Sequence, residues 1–137
     1  MKRIILLAVL ISIVIGVGIG YYFYNKKVPT LDDFKPDYKI SANDLTLAFE
    51  NDEAAATNKY EDKIIEVTGI IQSIKNDSTN SNIILEADLA MMGGVNCSFK
   101  YIQDNSIKKG DEVIVKGRCQ GYLMDVILNN CILVELE

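Results

Sequence analysis

The sequence predicts a mainly β domain, five strands closed into a small Greek-key barrel. One or two short α-helices precede it, with an N-terminal transmembrane helix before them. Three observations predict this. Residues 4–24, "IILLAVLISIVIGVGIGYYFY", hold neither charge nor proline. From residue 63 onward the apolar pattern falls into short, β-branched runs separated by polar or glycine-bearing turns. Between the two, "SANDLTLAFENDEAAATNKY" repeats its apolar residues at three- to four-residue spacing.

A helix over residues 4–24 rises about 31 Å, close to the hydrocarbon thickness of a bilayer. A secretory signal would carry a shorter apolar region and a small-residue cleavage site. Here the run ends in "YYFYNKK", with no A-x-A pattern and no cysteine to receive lipid. A permanent anchor is the better reading, and the bilayer is then one expected partner. Tyr21, Tyr22, Phe23 and Tyr24 suit an interfacial belt, with Lys26 and Lys27 beyond it. The preferred orientation puts Lys2 and Arg3 in the cytoplasm and the domain outside, periplasmic or at the cell surface. Gly16 and Gly20 form a G-x-x-x-G pair, a pattern common by chance in apolar helices. The chain divides into an anchor (1–24), a linker holding both prolines (25–40) and a folded domain (41–137).

Ser41 with Asp44 three residues later is a capping-box-like helix start. Leu45, Ala48, Phe49, Asp52 and Ala56 follow along one face, and Asn51 or Asp52 caps a second short helix. "KIIEVTGIIQSI" (63–74) is the first strand, where Gly69 marks a bulge or a bend. The polar stretch 75–82 turns the chain into a strand over 83–89, and 90–94 connects to "VNCSFKY" (95–101). There Val95, Cys97, Phe99 and Tyr101 face inward. After 102–111 come a strand over 112–119, a turn over Gln120–Leu123 and a last strand over 124–136. Five brief strands with a glycine in the first fit a barrel of the OB type, whose closure removes exposed sheet edges.

The runs "DLTLAFENDEAAATNKYEDKIIEVTGIIQSI", "GGVNCSF" and "KKGDEVIVKGRCQGYLMDVILNNCIL" resemble the tRNA-anti-like family of bacterial OB-fold proteins, over residues 44–134. The resemblance implies an OB domain behind a membrane anchor or lipoprotein signal. It carries over no ligand, cofactor or catalytic residue. Without a lipobox cysteine, a transmembrane anchor would replace the lipid here.

The chain has no histidine. That removes Ser–His and Cys–His nucleophile pairs, the usual zinc ligand and the commonest general base near neutral pH. No catalytic residue, metal or cofactor is expected, and the chain does not read as an enzyme. Cys97, Cys119 and Cys131 form no C-x-x-C, whereas a zinc site wants four ligands. They read as small buried hydrophobes, with a disulfide as the alternative in an oxidising compartment. If Gly121 and Tyr122 centre the last hairpin, Cys119 faces Met124 and Cys131 falls opposite Glu112. The two would then lie roughly 23 Å apart, beyond bonding reach. Third and fifth strands are neighbours in an OB barrel, which leaves Cys97 and Cys131 as a possible pair. Asp44, Asp52 and Glu53 read as capping and solvated residues. Asp88 and Asp125 flank strand ends, with nothing resembling an EF-hand loop.

From Ser41 onward the chain holds 16 acidic and 8 basic residues, a formal charge of −8. A nucleic-acid binder normally shows the opposite sign. Outward residues on the second and third strands are few: Ser98 and Lys100. Tyr122, beside Gln120, is the best exposed aromatic, at the tip of the last turn. The expected function is a non-catalytic, membrane-anchored, extracytoplasmic interaction module with Lys100, Gln120 and Tyr122 on its binding surface. A protein or small ligand would dock at the 75–82 loop, the 90–94 connection and the Tyr122 hairpin, and acidic loops favour a basic partner. The alternative is a single-stranded nucleic-acid-binding OB protein.

Overall fold

The computed structural model describes residues 2–25, 31–91, 93–101, 103 and 106–134, with the side chains of 2–10, 23–25 and 32 excepted. Lys26 and Lys27, the linker residues 26–30, Met92 of the 90–94 connection and the end of the last strand lie outside the described residues, as do the side chains of Phe23 and Tyr24. Helix α1 (Lys2–Asn25) is continuous over 24 residues. Its described side chains, 11–22, are all exposed. They rise only about 18 Å, and among the described residues no helix is long and apolar enough to cross a membrane.

A 3-10 turn (Leu31–Asp33) leads to β1 (Tyr38–Ser41). The sheet thus begins inside the stretch that reads as linker. Asp37 starts the pairing, its N–H donating to the Ile64 carbonyl at 2.7 Å. Its carboxylate in turn accepts the Ile64 N–H at 2.9 Å. β1 then runs parallel to β2 (Ile64–Asn76), from Tyr38 opposite Ile65 to Ser41 opposite Thr68. Four residues are too few to display an alternating pattern, so this strand is silent in the sequence.

Both helix starts fall where the caps predict them. Ser41 Oγ accepts the Asp44 N–H at 3.0 Å and donates to its carboxylate at 2.7 Å, opening α2 (Ala42–Asn51). The Asp52 carboxylate accepts the Ala55 N–H at 2.9 Å, opening α3 (Glu53–Tyr60). Each cap satisfies a donor that the first helical turn leaves without a backbone partner. Leu45, Phe49 and Ala56 are buried from these helices, whereas Asp52 is exposed.

The barrel comprises β2, β3 (Ser81–Leu85), β4 (Val95–Phe99), β5 (Glu112–Tyr122) and β6 (Val126–Val134). Its order is β2–β3–β4–β6–β5, closed by β5 returning to β2. Strand β2 serves both sides of the closure: residues 64–70 pair with β5, and 71–76 pair mainly with β3. Gly69 sits at that change of partner. A Cβ there would lie 2.9 Å from Ala42 Cβ and 3.2 Å from Leu85 Cβ, so the glycine admits α2 and β3 against the strand. The register irregularity itself comes between Ile71 and Ser73. β4 and β6 are parallel neighbours, and Phe49, Phe99, Ile65, Ile83, Leu85 and Leu128 fill the interior.

Three expectations are corrected. β3 occupies 81–85 rather than 83–89. β4 ends at Phe99, so Tyr101 does not face inward and is 71% exposed. The last turn is Leu123–Asp125, not Gln120–Leu123, because Tyr122 already pairs with Val126. Gly121, at φ +120, lies at a register shift after Cys119, and Met124 takes the positive φ of the turn itself. The glycine therefore marks a bulge, and Cys119 faces Leu128 rather than Met124. Cys131 lies against Gly117, where a Cβ would come within 2.7 Å of its Sγ. Three strand residues, about 10 Å, now separate Cys131 from the partner of Cys119, still beyond disulfide reach.

Candidate functional site

Lys100 and Tyr122 stand at opposite ends of the β4–β6 pair. Lys100 follows Phe99, which faces Cys131, whereas Tyr122 pairs with Val126, which faces Val95. Four strand residues, about 13 Å, separate the two levels. Gln120 is exposed at the bulge before Tyr122, its Nε2 donating to the Cys119 carbonyl at 3.4 Å. Lys100 is therefore set apart from Gln120 and Tyr122, and each end is built differently.

At the hairpin end, Tyr122 is half-buried rather than an exposed tip. Its ring stacks on Phe49 at 5.7 Å between centroids and 18° between planes. Burial pushes the phenol pKa up, and the nearby Glu50, Asp125 and Glu53 carboxylates raise it further. The 89–94 connection is fixed to the turn beyond Tyr122. Gly94 N–H donates to the Asp125 carboxylate at 2.8 Å, and Val126 N–H donates to the Gly94 carbonyl at 2.9 Å. Gly93, at φ +86, admits no side chain, since a Cβ would overlap the Met124 carbonyl oxygen. Helix α2 holds the same connection from the other side. Asn43 Oδ1 accepts the Leu89 N–H and the Glu50 carboxylate accepts the Met91 N–H, each at 3.1 Å.

The connection held by α2, and the hairpin turn bonded to that connection, thus present Leu89, Met91, Leu123 and Met124 at 69, 93, 78 and 66% exposure. Sequence reasoning located this end through its turn signals but missed these four residues. It placed Leu89 in a strand, and it centred the hairpin on Gly121.

The Lys100 end is polar. Asn80, Ser98, Phe99, Lys100, Asn129 and Asn130 line a pocket of about 270 Å³. With its amide turned to suit the surrounding acceptors, Asn80 donates to the Lys100 carbonyl at 3.2 Å, tying the β2–β3 turn to the end of β4. Asn130 adopts φ 54 where the β6 register shifts, so Asn129 and Asn130 are both exposed. Asparagine tolerates that left-handed conformation better than most residues. The adjacent pair "NN", interrupting an alternating strand, was the readable signal of that bulge. Tyr101 follows Lys100 as the exposed aromatic of this end. A larger cavity of about 620 Å³ lies between Ile107, Glu112, Val113 and Leu133. Its lining ends at Val134, the last described residue, and no site is assigned to it.

The three thiols are buried and free in this structure. Burial pushes the Cys97 thiol up, and its interaction with the Cys131 thiol adds to this. Cys119 is raised by burial as well. Thiols held in the protonated form are poor nucleophiles. Among the described residues no group of three or more histidines, cysteines or carboxylates could hold a metal ion.

The profile of the tRNA_anti-like family matches residues 1–133 of the chain. Among solved structures, the chain is similar to a protein from Klebsiella pneumoniae subsp. pneumoniae, provisionally described as a nucleic acid-binding lipoprotein. The two are 17% identical with a TM-score of 0.54, over 71% of this chain and 91% of that one. At that identity the match shows a shared fold. No curated protein matches.

Proposed function

This chain belongs to the tRNA_anti-like family, and on that premise we propose that it is a membrane-anchored, extracytoplasmic OB-fold interaction module without catalytic activity. One observation carries the reading: two loops bonded to each other at the hairpin end expose four large apolar side chains. Scattered exposed hydrophobes need no explanation, but an apolar cluster on a fixed scaffold marks an interaction surface. The uncharged run 4–24 supports anchoring, since a helix over it matches a bilayer in length. Absence of histidine supports a binding role, because it removes the usual general base.

Two experiments test this. A phosphatase that folds only outside the cytoplasm, fused after Glu137, is expected to be active; an inactive fusion with full expression contradicts the placement. Leu123→Asp is expected to abolish recovery of crosslinked partners from native membranes, and unchanged recovery contradicts the surface.

A second reading has its own observation. Tyr101 is exposed directly after Lys100, beside a pocket of amide groups, where a base could stack. The description of the Klebsiella protein points the same way. Against it stands the charge of −8 from Ser41 onward. Fluorescence anisotropy with short single strands at low salt decides: binding that Tyr101→Ala removes would establish it.

A further inference from the structure

The segments that include the hairpin end have an uneven charge. Residues 41–58, 84–99 and 119–134 carry seven carboxylates (Asp44, Glu50, Asp52, Glu53, Glu86, Asp88 and Asp125) and no lysine or arginine. All eight basic residues of the domain lie in other segments. Several are engaged there: Lys116 Nζ donates to the Phe34 carbonyl at 3.1 Å, Arg118 to the Asp62 carbonyl at 3.0 Å, and Lys59 lies over the Tyr38 and Tyr60 rings. In these segments Leu89, Met91, Leu123 and Met124 are exposed, on two loops that meet where Gly93 lies against the Met124 carbonyl and Gly94 N–H donates to Asp125. Two of the four are methionines, whose flexible, polarisable side chains adapt to varied apolar partners. Charge decides among possible occupants. A second copy would bring its own seven carboxylates against these, and an anionic lipid surface has the same sign, so both are repelled.

We infer that the hairpin end receives a basic amphipathic segment of a partner protein, its apolar face on Leu89, Met91, Leu123 and Met124 and its lysines or arginines over the surrounding carboxylates. This rests on the interaction-module reading and names the chemistry of the partner. Apolar anchors at helical spacing supply the affinity, and the carboxylates select the sign.

The test uses the full chain in neutral detergent, with methionine methyl groups labelled for NMR. Two probes of about 18 residues share one leucine face and carry either lysines or glutamates on the other. The lysine peptide is expected to move the Met91 and Met124 methyl signals, and the glutamate peptide to leave them in place. Glu53→Lys with Asp88→Lys is expected to weaken the lysine peptide about tenfold or more. If both peptides bind equally, or the charge reversal changes nothing, the basic partner is wrong while the docking surface stands. If neither peptide moves the methyls, the docking reading falls too. Methyl shifts that follow protein concentration alone make the occupant a second copy. Shifts on adding phosphatidylglycerol bicelles make it a lipid surface. Either result overturns the inference.

Discussion

The two ends of the barrel share the same strands and differ in what fixes them. At the hairpin end, Phe49, Tyr122, Gly93, Gly94 and Asp125 lock a helix and two loops together, and apolar side chains project from the locked frame. At the Lys100 end, one turn closes on one strand end, and amides and a lysine line a shallow pocket. A hydrogen-bonded end with exposed apolar side chains, and with Glu50, Glu53 and Asp125 near Tyr122, suits a protein partner, while a small polar pocket suits at most a small ligand or a base. The difference teaches that the exposure of an aromatic depends on how its end of the barrel is built. Tyr122 is a structural residue that supports the surface, whereas Tyr101 is free of the core.

Substitutions should separate the ends, beginning with the largest effect. Phe49→Ala removes a fully buried ring that packs on both Tyr60 and Tyr122. It is expected to cost about 3–5 kcal/mol in urea unfolding; a loss under about 1 kcal/mol contradicts the locked frame. Gly93→Ala places a methyl group on the Met124 carbonyl at positive φ. A loss of about 2 kcal/mol or more is expected, with altered Met124 signals. Tyr101→Ala and Lys100→Ala touch nothing comparable, and stability is expected to stay within about 0.5 kcal/mol.

Titration sharpens the same contrast. Tyr122 has a phenol pKa raised in the folded state. The native protein then holds this proton at a pH where the unfolded chain has lost it. Its contribution to stability is therefore full below the unfolded tyrosine value of about 10, and is lost as pH rises through the higher folded value. Tyr122 is expected to ionise above the unfolded tyrosine value in a spectrophotometric difference titration against Tyr122→Phe, and Glu53→Gln should lower its pKa. Ionisation of Tyr122 at or below that unfolded value contradicts the electrostatics described. The thiols complete the set. Iodoacetamide is expected to modify Cys97, Cys119 and Cys131 slowly until denaturant is added, then all three. A single modified thiol after denaturation without reductant shows a bridge.

Much of the barrel was readable because its signals are local. Ser41 and Asp52 announce two helices, and strict alternation from Val95 to Phe99 fixes the inward face of β4. What the sequence concealed depends on contacts distant along the chain. β1 exists because Asp37 and Ile64 exchange hydrogen bonds across 27 residues. Gly121 looks like a turn residue, yet its bulge moves the hairpin, and Met124 assumes the positive φ instead. Hence the pairing of the two apolar loops was invisible: the loop of Leu89 and Met91 joins that of Leu123 and Met124 through Gly93 and Gly94, which reveal their purpose once Met124 and Asp125 lie against them.

The central claim is that partners dock at the hairpin end. A photo-crosslinking side chain placed at Leu123 in one variant and at Tyr101 in another, expressed in native membranes, tests it most directly. The account predicts a discrete protein adduct from position 123 and none from 101. An adduct from 101 alone, or nucleic acid trapped there, contradicts it.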